Sequence, residues 1–421
     1  MAQIEARPEP TAATPSALRA APLISTILLT EASIACLMFA IAQQYPVARL
    51  HVGQEYAGFA VSAYGLAKLP SQPVVGWLAD HYGAKLVLLL GVLISLPPIV
   101  AMATVRHAWT FVILSGLFGV TVAVVWPCVY AIIGGRFRPW QQGRLLGTVQ
   151  LATVLGNGAG IVVGAWLIDH VSFDAAFGAA FLLKALALAS VVIEPDDVRG
   201  ARLEGGFRQR LGELRGAFNP AVRMLVAVIV MLSVGVSLLL PALKPYSEHL
   251  HFAKFSSFVF FLIPPAAIAV AILVPAGYMA DRLGRIIPVL AGVTFSPFLL
   301  WGLSATDDRW IASGLAILVV AGYGMVLPAS SALVMDQTRD ETRGLLVGAV
   351  TAMQAVGLAI GPALGGQITV EWGATAAFKA SAVLVAVGVV MTYAFVLRYR
   401  HALPVPGRRP RSRTPESRPP A

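Results

Sequence analysis

Charged residues are scarce in this chain: 12% of its 421 residues are charged, whereas 57% are hydrophobic. The charged share is about half of the roughly 25% typical of soluble domains. A water-soluble fold with this composition would expose large apolar patches, so the composition indicates that lipid surrounds most of the chain. The net charge of +10 does not indicate a nucleic-acid partner, because most lysines and arginines stand between apolar runs or in the C-terminal tail, as topology signals do.

Cysteine is also rare, and several chemical motifs are missing. Cys36 and Cys128 each stand within an apolar run, so no disulfide framework is indicated. No histidine has a metal-ligand spacing with a cysteine or carboxylate, and we expect neither a metal nor any other cofactor. No nucleophile–base constellation or ATP-binding Gly-x4-Gly-Lys-Ser/Thr loop occurs. These absences argue against an enzyme and against ATP-driven transport within this chain.

The chain contains twelve apolar runs of about the 20 residues needed to cross a bilayer. They predict an all-α membrane protein with twelve transmembrane helices in two pseudo-symmetric six-helix bundles. The predicted spans are 22–45, 56–79, 85–104, 109–133, 144–169, 174–193, 221–243, 256–280, 286–304, 310–335, 344–369 and 374–397.

The longest polar interruption separates the two sets of six spans. We expect an N-terminal bundle over 22–193 and a C-terminal bundle over 221–397, joined by a cytoplasmic linker over 194–220. The ends, 1–21 and 398–421, are rich in proline, arginine, serine and alanine, and we expect them to be disordered.

The distribution of basic residues predicts the orientation in a cell membrane. An even number of spans places both termini on one side, and segments on that side carry 23 of the 31 lysines and arginines, against six on the other side. Because basic loops stay in the cytoplasm, both termini are expected to be cytoplasmic.

The sequence repeats itself with an offset of 201 residues. Gly76-Trp-Leu-Ala-Asp80-His-Tyr-Gly83 recurs as Gly277-Tyr-Met-Ala-Asp281-Arg-Leu-Gly284, and five further glycines, a proline and an arginine recur in the same register. Eleven matches at one offset indicate two copies of a six-helix unit, a plan found in secondary transporters.

At these residues the chain resembles the major facilitator superfamily, over about 22–397. The family's loop pattern is Gly-x-x-x-Asp-(Arg)-x-Gly-(Arg)-(Lys/Arg), and His81 and Ala84 depart from it in the first copy. The resemblance implies that each Asp braces a cytoplasmic gate against a helix N-terminus in the other half, near Gly344 and Gly143, where a carboxylate gains about 0.3–1 kcal/mol. The alternative is a tight turn with a solvated Asp. The expected gating residues are Gly76, Asp80, Gly83, Lys85, Gly277, Asp281, Arg282, Gly284 and Arg285.

A second pattern, Gly-x8-Gly-x3-Gly-Pro-x2-Gly-Gly, resembles a motif of the superfamily's drug:proton antiporters. Glycines every fourth residue allow close helix approach, so the alternative is simple packing without any bearing on transport direction. Ile161 and Ala165 depart from the motif in span five, and Ser115 stands where these exporters carry an arginine in span four. The motif residues are Gly147, Gly156, Gly160, Gly164, Gly348, Gly357, Gly361, Pro362, Gly365 and Gly366.

Two charged residues inside spans are candidates for proton coupling. At about 1.5 Å per residue, Glu31 and Lys68 lie roughly 14 and 18 Å from the cytoplasmic surface. We hypothesise that Glu31 binds and releases a proton while Lys68 holds its charge between steps; a static pair that fastens spans one and two is the alternative. Lys184 in span six is expected to reach the membrane surface or contact lipid.

Polar and aromatic residues on spans one, four, seven and ten are candidates for a solute cavity, which the resemblance places along these spans. They are Thr30, Ser33, Trp126, Tyr130, Ser233, Ser237, Tyr323 and Ser330.

The sequence therefore predicts a secondary transporter that works by alternating access. Proton-coupled export of a small apolar or amphiphilic solute is the leading interpretation, and proton-linked uptake of a metabolite or nutrient is the alternative. A membrane sensor or scaffold on the same fold is the hypothesis from another class. We expect membrane lipid, the solute and protons as partners, no nucleic acid, and a monomer.

Overall fold

Every element that the structure describes is helical. The structure is a computed structural model, and it describes residues 16–137, 139–195, 220–268, 271, 290, 292–336 and 343–399. The helices before the linker are α1 (Ser16–Ala35), α2 (Ala42–Leu50), α3 (Glu55–Tyr82), α4 (Ala84–Ile94), α5 (Leu96–Thr104), α6 (Ala108–Val122), α7 (Val125–Arg136), α8 (Pro139–His170) and α9 (Phe173–Ile193). Those after it are α10 (Pro220–Ser237), α11 (Leu243–His249), α12 (Phe255–Phe261), α13 (Ser296–Ala305), α14 (Arg309–Asp336), α15 (Arg343–Trp372) and α16 (Ala374–Tyr399).

Several predicted spans are built from two consecutive helices. A proline stands at or just after the breaks between α4 and α5, between α6 and α7, and between α10 and α11. Because proline has no N–H, it leaves the carbonyl four residues earlier without its helical donor, and the helix bends or ends there. In the first span, the π-helical turn Cys36–Ile41 connects α1 to α2.

Length and composition fit a membrane environment. Among the described residues, seven helical stretches are long and apolar enough to cross a bilayer, and three shorter apolar helices accompany them. Predicted spans eight and nine, 256–280 and 286–304, lie partly outside the described residues.

The chain divides into two compact units. The first contains residues 16–45 and 70–195, and the second contains residues 46–69 together with the described residues from 220 onward. Residues 46–69 thus belong to the second unit, whereas the sequence-based boundary keeps them in the first bundle. That boundary stays a prediction.

Close backbone contacts explain why residues 46–69 belong with the second unit. A Cβ atom on Gly58 of α3 would lie 2.2 Å from the Pro362 carbonyl oxygen of α15, and one on Gly65 would lie 2.6 Å from the Leu358 carbonyl carbon. Between them, the Ala363 N–H donates a hydrogen bond of 2.8 Å to the Ser62 hydroxyl. The absence of side chains at the two glycines therefore lets α3 and α15 meet backbone to backbone.

Each unit contains the same pair of aromatic residues, 201 positions apart. In the first unit, the ring of Tyr45 packs against Phe177 with 5.3 Å between centroids. In the second unit, Tyr246 packs against Phe378 at 4.3 Å. Each tyrosine hydroxyl also donates to a backbone carbonyl, that of Val105 at 3.2 Å and that of Leu303 at 2.7 Å.

A buried serine hydrogen bond recurs in a reciprocal form. Ser33 of α1 donates to the Ala180 carbonyl of α9 at 2.7 Å, and Ser381 of α16 donates to the Gly235 carbonyl of α10 at 2.6 Å. Ala180 and Ser381 are separated by the same offset of 201. The contacts inside the two units thus repeat in the register that the sequence repeats, which confirms the predicted duplication.

Candidate functional site

Glu31 lies in the C-terminal part of α1, four residues before its end, and is buried, with a relative exposure of 7%. The amide nitrogen of Asn157, on α8, donates to a carboxylate oxygen of Glu31 at 3.3 Å and to the Thr153 carbonyl at 2.9 Å. A buried carboxylate is costly unless it is hydrogen-bonded. Here the hydrogen-bond partner within the described part of the first unit is a neutral amide.

The glycine face of α8 brings this amide to Glu31. A Cβ atom on Gly156 would lie 2.4 Å from the Leu28 carbonyl oxygen and 3.2 Å from the Glu31 Cβ, and one on Gly160 would lie 2.1 Å from the Ala32 carbonyl oxygen. Further along the same face, Gly164 meets Cys36 and Ala40 in the π-helical turn. Helices α1 and α8 are therefore in backbone contact on both sides of Glu31. The remaining motif glycine of α8, Gly147, has open space around it.

The second unit repeats this packing without the carboxylate. A Cβ atom on Gly357 of α15 would lie 2.5 Å from the Ser233 Cβ, and one on Gly361 would lie 2.8 Å from the Ser237 Cβ, both on α10. Gly365 approaches the Leu238 carbonyl in the same way. Gly357 thus faces Ser233, and the residue 201 positions after Glu31 is Leu232. The other motif residues of α15 include Gly366, which faces Glu55, and Gly348, whose surroundings lie outside the described part.

Lys68, the predicted partner of Glu31, lies on the part of α3 that belongs to the second unit. Its ammonium group lies 3.4 Å from the Tyr64 hydroxyl and 5.5 Å from the centre of the Tyr64 ring, one turn earlier in the helix. The Glu31–Lys68 pair would join residues of the two units, and it stays a prediction.

Two further charged side chains are buried among the described residues, and both lie in the first unit. Glu194, 2% exposed, forms an ion pair with Arg136, which also donates to the Pro195 carbonyl at 2.7 Å. Lys184 is 0% exposed, and its ammonium group lies 5.4 Å from the centre of the Phe118 ring. The expectation that Lys184 reaches the membrane surface or lipid is wrong, because its side chain is fully buried inside the first unit, beside Phe118 of α6.

The gating residues are only partly within the described part of the chain. Gly76 and Asp80 lie on α3, but the side chain of Asp80 is not among those described. Gly83 connects α3 to α4 with φ 97°, a backbone conformation that favours glycine, and Lys85 stands in the first turn of α4. The second copy, Gly277, Asp281, Arg282, Gly284 and Arg285, lies outside the described residues. The gating role stays a prediction.

The predicted cavity residues have different environments. Ser33 is buried in its bond to α9, and Ser233 and Ser237 face the glycines of α15. Thr30 is fully buried, and its hydroxyl has no hydrogen-bond partner among the described residues.

The aromatic cavity candidates of the first unit are the half-buried Trp126 and Tyr130 on α7, whose rings pack with centroids 5.7 Å apart. The side chains of Tyr323 and Ser330 are outside the described part of α14. The cavity assignment stays a prediction. No group of three or more histidine, cysteine or acidic side chains suited to a metal ion occurs among the described residues.

A duplicated bundle of apolar helices with a buried carboxylate in its first span is typical of a membrane transporter. Comparison with known proteins assigns the family. The model of the Major Facilitator Superfamily matches residues 23–336 and 265–420, which is most of the chain. The chain belongs to this superfamily: it is a multi-pass membrane transporter and not an enzyme, as predicted.

Sequence relatives include the Multidrug resistance protein MdtG of Salmonella typhi, 25% identical over 356 residues that cover 83% of this chain and 87% of the relative. The MdtG protein of Escherichia fergusonii is 24% identical over 353 residues, with 82% and 85% covered.

Solved structures of transporters share the fold at low identity. A bacterial homolog of the human lysosomal transporter Spinster, in an inward-facing and occupied conformation, has a TM-score of 0.75 at 12% identity, with 94% of this chain and 100% of that chain covered. A D-xylose–proton symporter has a TM-score of 0.72 at 14% identity, with 90% and 97% covered. The predicted twelve-helix major facilitator fold is confirmed.

Proposed function

We propose that this protein exports a small apolar or amphiphilic solute in exchange for protons, and that Glu31 is the group that binds and releases the proton. The observation that carries the proposal is the environment of Glu31, a buried carboxylate in the first span whose hydrogen-bond partner is a neutral amide. The export direction is supported by the MdtG relatives, which are named multidrug resistance proteins.

The contrast with Glu194 supports the choice of Glu31. These are the two buried carboxylates among the side chains that the structure describes. Glu194 already forms an ion pair with the guanidinium of Arg136. The hydrogen-bond partner of Glu31 within the described part of the first unit is the neutral amide of Asn157, and we therefore propose Glu31, not Glu194, as the proton-binding group.

Alternating access would couple this proton to the solute. In our proposal Glu31 is reached from one side of the membrane at a time, takes up a proton from the more acidic side and releases it to the other side. A carboxylate near the middle of a bilayer is costly when charged, so protonation also lowers the barrier to the change of conformation.

Transport into proteoliposomes with an imposed pH gradient tests the direction and the coupling. The solute probes are ethidium, a lipophilic cation, and Nile red, a neutral apolar dye. Proton movement is followed with an entrapped pH-sensitive dye. Export requires that solute and protons move in opposite directions. Movement of solute and protons in the same direction would replace export with proton-linked uptake.

The variant Glu31→Gln tests the role of the carboxylate. We expect it to reach the membrane in normal amount but to lose proton-driven accumulation of the probe by at least about tenfold, because glutamine does not titrate. The matched control is Glu248→Gln, which removes an exposed carboxylate paired with Lys244 and should transport as the parent does. Full proton-driven transport by Glu31→Gln would exclude this role.

A further inference from the structure

Helix α3 changes its packing partners at Pro70. Its residues up to Leu69 belong to the second unit, and Pro70 is the first residue of α3 that belongs to the first unit. Beyond it, Val75 and Ala79 are buried in the apolar core of the first unit. One continuous helix, Glu55–Tyr82, therefore packs its first part and its last part in different units.

Two prolines stand at this change of partners. Pro70 and Pro73 lie inside α3, and neither has an N–H to donate to the carbonyl four residues earlier. These carbonyls are those of Leu66 and Leu69. A helix that lacks two hydrogen bonds within about one turn bends there more easily than a regular helix does.

The first part of α3 packs on α15 at another proline. Pro362 lies inside α15, so the Leu358 carbonyl does not receive its usual helical hydrogen bond. Gly65 lies against this carbonyl: a Cβ atom on Gly65 would lie 2.6 Å from its carbon and 2.8 Å from its oxygen. The N–H that follows Pro362, that of Ala363, donates to the Ser62 hydroxyl at 2.8 Å. Helix α3 thus contacts backbone groups of α15 on both sides of the proline.

The sequence repeat shows that the fold does not require this contact. The residues 201 positions after Gly58, Ser62 and Gly65 are Val259, Ile263 and Ala266. The residue 201 positions before Pro362 is Ile161. The two glycines, the serine and the proline thus occur in the copies that meet each other, and the equivalent positions carry none of them. The backbone contact is therefore a special feature of the pair α3 and α15.

We propose that residues 55–69 form a movable arm, which docks on α15 at Pro362 and swings away about Pro70 and Pro73 during the transport cycle. The arm separates from α15 without unlocking interdigitated side chains, because its two glycines contribute none. The bend lets it move while Val75 and Ala79 stay in the core of the first unit. The inference rests on alternating access in the proposed function, but not on the direction of export or on Glu31.

Labelling of a cysteine at position 62 reports whether the arm is docked. Ser62 is buried, with 7% exposed, so a water-soluble maleimide reacts with Ser62→Cys while the arm is away from α15. The rate is measured by mass spectrometry on the purified protein in lipid nanodiscs, where the reagent reaches both membrane faces. The parent, whose native cysteines are buried, gives the background. The variants below also carry Ser62→Cys.

Gly58→Leu should speed the labelling by at least about tenfold, because overpacking keeps the arm undocked. A Cβ atom at this position would lie 2.2 Å from the Pro362 carbonyl oxygen. Gly314→Leu is the matched control: it adds the same side chain to α14, where a Cβ atom meets nothing within 4 Å, and it should leave the rate unchanged. Gly58→Ala introduces the same collision with a smaller side chain and replaces Gly58→Leu if that variant does not fold.

The double variant Pro70→Ala, Pro73→Ala should slow the labelling by at least about tenfold, because both N–H groups return and α3 stiffens. The control is Pro22→Ala, which removes a proline from inside α1 and should be labelled as fast as Ser62→Cys alone. Labelling that is not accelerated at Gly58, or that is not slowed by the double proline variant, would overturn the inference.

These results separate the arm from the proposed function. If the labelling rates change as expected while ethidium and protons move in the same direction, the arm stands and export fails. If Glu31→Gln loses proton-driven transport while the labelling rates do not change, the proposed function stands and the arm fails.

Discussion

At the scale of single residues, the ion pair between Arg136 and Glu194 connects the end of α7 to the end of α9. Glu194 is almost fully buried, and Arg136 is mostly buried, with 15% of its side chain exposed. In the sequence, Arg136 is one of the basic residues whose distribution predicts the orientation in the membrane. Removing one partner of a buried pair leaves an uncompensated charge, which costs far more than the pair itself contributes.

We expect Arg136→Met to lower the free energy of unfolding by about 3–5 kcal/mol, measured as a lower melting temperature of the purified protein in detergent. The double variant Arg136→Met, Glu194→Met should recover most of this loss, because no buried charge is left alone. Lys244→Met is the control: its pair with Glu248 is largely exposed and contributes less than about 1 kcal/mol. If Arg136→Met had the same melting temperature as the parent, the ion pair would not be structurally important.

At the scale of elements, the glycines of α8 differ in their surroundings although they share one helix. A Cβ atom on Gly160 would lie 2.1 Å from the Ala32 carbonyl oxygen, whereas one on Gly158 would meet nothing within 4 Å. The glycine motif alone does not distinguish close helix contact from open space at each position. The difference depends on which face of α8 meets α1.

Gly160→Ala and Gly158→Ala form a matched pair of variants, two residues apart. We expect Gly158→Ala to raise stability by up to about 1 kcal/mol, since alanine is the better helix former. Gly160→Ala should lower the melting temperature, because α1 and α8 must separate to admit the methyl group. Equal effects of the two substitutions would contradict this account of the packing.

At the scale of the whole molecule, alternating access requires large elements to part and meet again. Residues 46–69 pack on α15 within the second unit, although α3 continues from them into the first unit. If the transport cycle opens this contact, a covalent link across it must stop transport. We choose Ser62 and Ala363 for such a link because they are neighbours across this contact, with the Ala363 nitrogen 2.8 Å from the Ser62 hydroxyl.

We expect oxidation of the double variant Ser62→Cys, Ala363→Cys to abolish proton-driven transport of ethidium and reduction to restore it. The controls are the two single variants treated with the same oxidant. They also report any effect of the oxidant on the native cysteines, Cys36 and Cys128, which are buried. Full transport by the cross-linked protein would show that α3 and α15 stay together throughout the cycle.

The sequence by itself determined the class of fold and one functional candidate. A bilayer demands apolar helices of a minimum length, so composition and run length predict the spans, and the offset of 201 predicts the duplication. Glu31 was found because a charge inside an apolar run is costly and therefore conspicuous. Asn157 is visible in the sequence as a polar residue inside span five, but no spacing along the chain identifies Glu31 as its hydrogen-bond partner.

The tertiary structure decided which side chains meet. It placed Asn157 on Glu31, buried Lys184 against Phe118, joined Arg136 to Glu194, and set residues 46–69 against α15. Helical periodicity defines the faces of one helix, but the rotation and crossing of two helices depend on packing across their whole length. Partners between helices therefore follow from the assembled bundle, because no local spacing along the chain records them.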